Sequence, residues 1–182
     1  MTELRLGIAL GGGGARGAAH IGVLNGFEKE EVQISMIAGV SAGSVIGAMY
    51  ALHGNVNWVE ERFKKVLAKN LNSNIFIKYL SDSSEKISFL GQTKLFFFEH
   101  FLQIIRLHKK SIISRNTLKK VICDLVPAES FEDLEIPLKV CATELNSGKN
   151  ITYDSGDLIT AIIKSCSIPG IVEPTLQNKN II

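Results

Sequence analysis

The sequence predicts an α/β fold, a three-layer α/β/α sandwich around a mostly parallel central sheet. Two observations carry that expectation. A short apolar run closed by glycine gives way to helical spacing twice in succession, first at "LRLGIAL" and then at "ISMIAG", and helices that cross over between consecutive strands require parallel strands with helices on the sheet faces. The chain has 182 residues, 46% hydrophobic and 21% charged, which suits one globular core and not a disordered chain.

The elements follow in order. Leu4 to Leu10 reads as a buried strand, and Ala18 to Glu30 then carries Ile21, Leu24 and Phe27 at helical spacing. After "ISMIAG", Ser41 to Leu52 contains almost only small and apolar residues, the mark of a buried helix. Asn57 is the expected N-cap of a helix over Trp58 to Lys69, with Val59, Phe63, Val66 and Leu67 as its apolar stripe. Ser81 to Gly91 reads as a loop, Leu95 to His108 as a helix, and Asn116 to Leu125 as another, amphipathic one. Beyond Pro137, "LKVCATEL" reads as a strand, "NSGKN" as a turn and "ITY" as the returning strand. Asp157 caps a helix over "LITAIIKS" that "SIPG" ends. There is no internal repeat or low-complexity tract, so residues 1–182 are expected to form a single domain.

Composition excludes several function classes. A net charge of +2, with no dense basic stripe interleaved with aromatics, gives no reason to expect nucleic acid as a partner. Cys123, Cys141 and Cys166 are odd in number and lack metal-ligand spacing, so no metal site and no disulfide framework is expected, and buried thiols in a reducing compartment are. Met1 to Leu6 lacks the pattern of a secretory signal, and no uncharged apolar stretch reaches the about 20 residues of a membrane span. The expected location is cytoplasmic, with peripheral membrane contact left open.

Two loops carry the chemistry. Gly12, Gly14 and Gly17 satisfy G-x-G-x-x-G between a strand and a helix, a pattern that suits an anion at a helix N-terminus. A dinucleotide reading also requires an acidic residue about 20 positions on, where Met36, Ile37 and Ala38 stand instead. A P-loop reading requires Lys and Ser or Thr after the last glycine, where Ala18 and Ala19 stand. What remains is a cluster of backbone N–H groups able to face a transient oxyanion, or a tight turn kept for helix-to-sheet packing. Arg16 is expected to stabilise loop carbonyls or a nearby negative charge, because a cation in a first helical turn is opposed by the helix dipole.

The second loop, Gly39-Val40-Ser41-Ala42-Gly43, is G-x-S-x-G where an apolar strand turns into a helix. In a nucleophile elbow the serine is strained and the flanking glycines let strand and helix pass. Ser41 is the candidate nucleophile, with the Ala42 N–H aimed at the same oxygen as the glycine loop. Both loops follow strands predicted to be parallel, so their active groups belong at one carboxyl edge of the sheet, where open α/β folds place ligands.

On these residues the chain resembles the patatin-like phospholipases, and among them the bacterial acyl hydrolases related to the catalytic domain of neuropathy target esterase. Gly12-Gly13-Gly14-Ala15-Arg16-Gly17 is similar to the family's oxyanion motif and Gly39 to Gly43 to its elbow. "SCSIPGIVEP" is similar to the segment before its acidic motif, although Lys164 stands where a small residue is common. The resemblance spans essentially the whole chain. It implies a patatin-like α/β/α domain, a Ser-Asp dyad without histidine, no cofactor, and a lipid or lysophospholipid ester as substrate.

The implied base belongs to an Asp-Gly-Gly or Asp-Gly-Ala motif, and no Asp-Gly pair occurs in these residues. The domain is therefore expected to be incomplete before that motif, with the aspartate beyond Ile182. Asp154 and Asp157 read as turn and cap residues, and His53, His100 and His108 lack a supporting context for a triad. The helix with Phe96, Phe97, Phe98 and Phe101, followed by basic Arg106 to Lys110, suits either a buried core element or an interfacial anchor. The expected activity is hydrolysis of carboxylic esters of lipids, and the alternative is a non-hydrolytic lipid-binding module of the same fold. Oligomeric state is not legible.

Overall fold

The computed structural model describes residues 6–70, 113–169, 171–172, 176–177 and 180–181. The expected loop at Ser81 to Gly91, the helix at Leu95 to His108 with Phe96, Phe97, Phe98 and Phe101, and the histidines His100 and His108 lie outside the described residues.

The fold is α/β with a mixed sheet whose strand order is β1 (Leu6–Leu10), β2 (Ile34–Val40), β3 (Leu138–Thr143), β4 (Asn150–Tyr153). β1, β2 and β3 are parallel, and β4 returns antiparallel to β3. The helical connections explain the parallel part, since a crossover returns the chain to the same sheet end. The tight turn before β4 has Gly148 at φ 69°, a left-handed conformation that glycine adopts without a Cβ penalty. A short antiparallel pair, β5 (Leu176–Gln177) and β6 (Asn180–Ile181), follows.

Five helices are described: α1 (Ala19–Lys29), α2 (Ala42–Ala51), α3 (Val56–Asn70), α4 (Arg115–Leu125) and α5 (Leu158–Cys166). α2 packs on β2 and β3, and α5 on β3. Every α2 residue from Gly43 to Ala51 is buried, which is why this helix has no polar face. Leu24, Ile37, Met49, Val59, Ile122, Val140, Leu158 and Ile162 fill one continuous core between the helices and the inner sheet face. Alternate strand residues Met36, Val40, Lys139 and Thr143 point the other way and are exposed among the described residues.

Several local expectations are corrected. The first helix does not begin at Ala18: a 3-10 segment, Gly14–Ala18, precedes α1, so Arg16 stands before the helix and not in its first turn. α3 begins at Val56, and its cap is Asn55, whose Oδ1 accepts the Trp58 N–H at 2.9 Å; Asn57 lies inside the helix. Two asparagines stand two apart, and only Asn55 is three residues ahead of a free N–H. Glu28 at the end of α1 adds an acceptor for the Val56 N–H at 2.6 Å. α4 begins one residue early because Ser114 accepts the Thr117 N–H at 3.2 Å. Cys123 is exposed on the outer side of α4, not buried, while Cys141 and Cys166 are half-buried.

Candidate active site

β2 ends at Val40 and α2 starts at Ala42, leaving Ser41 alone to make the turn at φ 52°, ψ −122°. A non-glycine residue there carries strain of about 1–3 kcal/mol and persists only where its surroundings impose it. The surroundings are tight. A Cβ on Gly39 would lie 2.5 Å from the Ser44 Cα, and one on Gly43 would lie 2.1 Å from the Leu10 carbonyl oxygen. Strand and helix can therefore approach only with glycine at both positions. The Ser41 carbonyl accepts from the Ser44 N–H at 2.9 Å, the Val45 N–H at 3.2 Å and the buried Ser44 hydroxyl at 2.6 Å. Serine at a helix start ordinarily spends its hydroxyl as a cap, but the Ser41 hydroxyl makes no cap bond.

The glycine loop lies against this turn. A Cβ on Gly12 would be 3.3 Å from the Ser41 Cβ, and one on Gly17 would be 2.5 Å from the Ala42 Cβ. Gly14 has φ 55°, and the Arg16 N–H closes the loop onto the Gly13 carbonyl at 3.1 Å. His20 Nε2 donates to the Gly11 carbonyl at 2.9 Å, tying the start of α1 to the loop. Among the described residues the N–H groups of Gly13, Gly14 and Ala42 meet no acceptor. The arrangement thus brings Ser41 and backbone N–H groups without a described acceptor to one edge of the sheet, and donors of this kind can stabilise a negative charge. Ala15 and Arg16 are exposed beside it.

Sequence reasoning did not place in this site three residues that shape it. The Ser165 hydroxyl, in the last turn of α5, accepts the Ser41 N–H at 2.8 Å and donates to the Cys141 carbonyl at 2.6 Å. The Cys166 thiol borders the Ser41 and Ser44 hydroxyls; burial pushes it up to about 11, against the opposing pull of those two hydrogen bonds, so it stays protonated at neutral pH. Ser44 is fully buried beneath the turn. Only the segment "SCSIPG" hinted at the first two, and nothing local distinguished Ser44.

A cavity of about 230 Å³ opens beside Ser41 and the loop, walled by Val45 from α2, Phe63 and Val66 from α3, and Leu118, Val121 and Leu125 from α4. Its lining is almost wholly apolar, so it suits hydrocarbon and offers little to a charged ligand.

The carboxylates considered from the sequence stand elsewhere. Asp157 caps α5 by accepting the Thr160 N–H at 2.8 Å, and Asp154 is 3.9 Å from Lys139. No carboxylate among the described residues is hydrogen-bonded to Ser41. His53 is exposed and packs edge-on to Trp58, with ring centroids 4.6 Å apart. Among the described residues no group of three His, Cys, Asp or Glu side chains could hold a metal ion, and no helix is long and apolar enough to cross a membrane.

The chain is similar to known proteins over almost its full length. It is 31% identical over 173 residues to an NTE family protein of Mycobacterium tuberculosis strain H37Rv, covering 93% of this chain and 39% of that protein. It is 28% identical over 182 residues to neuropathy target esterase sws of Drosophila melanogaster, covering 99% of this chain and 11% of that protein. The chain therefore spans well under half the length of these relatives. In the crystal structure of VipD from Legionella pneumophila, a matching region covers 97% of this chain and 45% of that one, with a TM-score of 0.56 at 14% identity, a likeness of fold alone. The family model for patatin-like phospholipases matches residues 8–182, and the chain belongs to that family.

Proposed function

We propose that this protein is a serine acyl hydrolase acting on carboxylic esters of lipids, of the phospholipase A or lysophospholipase type. The observation that carries this reading is the strained Ser41, its hydroxyl free of capping, set between unused N–H donors and an apolar cavity. Ser41 Oγ attacks the acyl carbonyl carbon, and a base takes the hydroxyl proton. The N–H groups of Ala42 and of the Gly12 to Gly14 loop hold the oxyanion, and the acyl chain lies in the cavity. Collapse of the tetrahedral intermediate releases the alcohol, which takes up that proton, and water then cleaves the acyl-enzyme.

The base in this reading is an aspartate outside the described residues, the dyad partner that the family resemblance implies. A fluorophosphonate probe tests the proposal, since it reacts with activated serines and not with an ordinary hydroxyl. Labelling at Ser41, lost in Ser41→Ala together with hydrolysis of p-nitrophenyl butyrate, is the expected result. In protein that carries this aspartate, a folded chain that the probe leaves unmodified is a lipid-binding module and not a hydrolase.

A further inference from the structure

The Ser41 N–H does not go where the sheet would send it. β2 and β3 are parallel with Ile37 opposite Leu138 and Val40 opposite Cys141, and the Ile37 N–H donates to the Pro137 carbonyl at 2.9 Å. A parallel ladder bonds alternate residues of one strand to the neighbouring strand. The same ladder therefore takes Gly39 to Lys139 and would take the Ser41 N–H to the Cys141 carbonyl. That last rung is not direct. The Ser165 hydroxyl stands in it, accepting from Ser41 at 2.8 Å and donating to Cys141 at 2.6 Å.

The direction of both bonds is forced, because an N–H can only donate and a carbonyl can only accept. The hydroxyl proton therefore has one place to go, and the side chain is held at both ends. The insertion has a geometric consequence. A direct rung would hold Ser41 in the extended backbone of β2, whereas the interposed oxygen lets the chain leave the strand and turn to φ 52° with its N–H still satisfied. α5 delivers this hydroxyl from 124 residues away and is anchored on β3 beneath it.

We propose that Ser165 is a positioning residue for Ser41, replacing the last rung between β2 and β3 by a hydroxyl bridge that sets the strained turn from which the Ser41 side chain projects. This inference rests on the hydrolase reading above. It states more, namely that removing a hydroxyl that touches neither the ester nor the oxyanion slows the chemical step.

The test compares Ser165→Ala and Ser165→Thr with the parent, all in protein that carries the expected aspartate, by p-nitrophenyl butyrate hydrolysis, by the rate of fluorophosphonate labelling at Ser41, and by thermal unfolding. Misplacing a reacting atom by about 1 Å can cost about a hundredfold in rate. Ser165→Ala is expected to lower kcat and the labelling rate together by about tenfold to a hundredfold at unchanged KM, in protein that remains folded at the assay temperature. Ser165→Thr, which keeps the hydroxyl, is expected to restore most of both rates. Parent-like rates in Ser165→Ala overturn the inference while leaving the hydrolase reading intact. So does an equal loss in Ala and Thr, or a loss that only follows the unfolded fraction. A parent protein that the probe does not label overturns both.

Discussion

Gly43 and Leu10 are in backbone contact: a Cβ on Gly43 would sit 2.1 Å from the Leu10 carbonyl oxygen. That contact sets the end of β1, and with it the glycine loop, against the start of α2. Neither side can yield cheaply, since both are backbone. Gly43→Ala is expected to cost about 1–3 kcal/mol or more in stability and to lose most esterase activity. Urea unfolding and p-nitrophenyl butyrate assays check both effects.

The opposite outcome is expected in α1. Gly22 and Gly26 lie inside that helix with nothing within 4 Å of a built Cβ. Alanine is favoured over glycine in a helix interior by about 0.5–1 kcal/mol, so Gly22→Ala and Gly26→Ala are each expected to raise stability by about that amount. Hydrolysis should be unchanged, and unfolding midpoints at equal m-value measure the gain.

Asp157 separates a cap from a base. Burial works to raise its carboxyl, but the Thr160 N–H and hydroxyl bonds and the Lys119 charge together hold it below the usual range. The stability it contributes is therefore present above pH about 4 and lost as pH falls further. Asp157→Ala is expected to cost about 1 kcal/mol, the worth of an N-cap, while kcat per folded molecule stays at the parent value. A collapse of kcat with unchanged stability would make Asp157 the base.

Alkaline pH probes the joint between α1, α2 and α3. Burial, then the charge and hydrogen bond of Glu28, push the Tyr50 hydroxyl from 10 to about 12. The unfolded chain ionises near pH 10 while the folded protein keeps its proton, so stability is intact below pH 10 and falls between 10 and 12. Burial raises Tyr153 as well, so the parent alone does not isolate the effect. Tyr50→Phe is expected to flatten part of the decline in melting temperature over that range.

The cavity should select among acyl chains. Val121 walls it from α4, an element remote in sequence from the Ser41 turn, so Val121→Phe fills volume without altering the turn. Each methylene denied burial forfeits about 0.8 kcal/mol, or about fourfold. The ratio of kcat/KM for longer over butyrate esters is expected to fall by about that factor per excluded methylene, measured on a p-nitrophenyl ester series.

What the sequence determined by itself was local in origin. Leu6 to Leu10 and Ile34 to Ala38 are largely apolar runs closed by glycine, Asp157 stands three residues ahead of the N–H it accepts, and Gly39 and Gly43 flank Ser41 at the spacing a sharp turn demands. Period, cap spacing and the steric need for glycine act over a few residues, so they can be read along the chain. Tertiary structure decided the rest. Asn55 and not Asn57 caps α3, Cys123 faces outward, and the cavity walls come from helices far apart in the chain. Ser165 is the clearest case: an ordinary serine in a helix end becomes the bridge to Ser41 only when α5 packs on β3, because a contact across 124 residues is fixed by how the elements pack and not by the residues on either side of it.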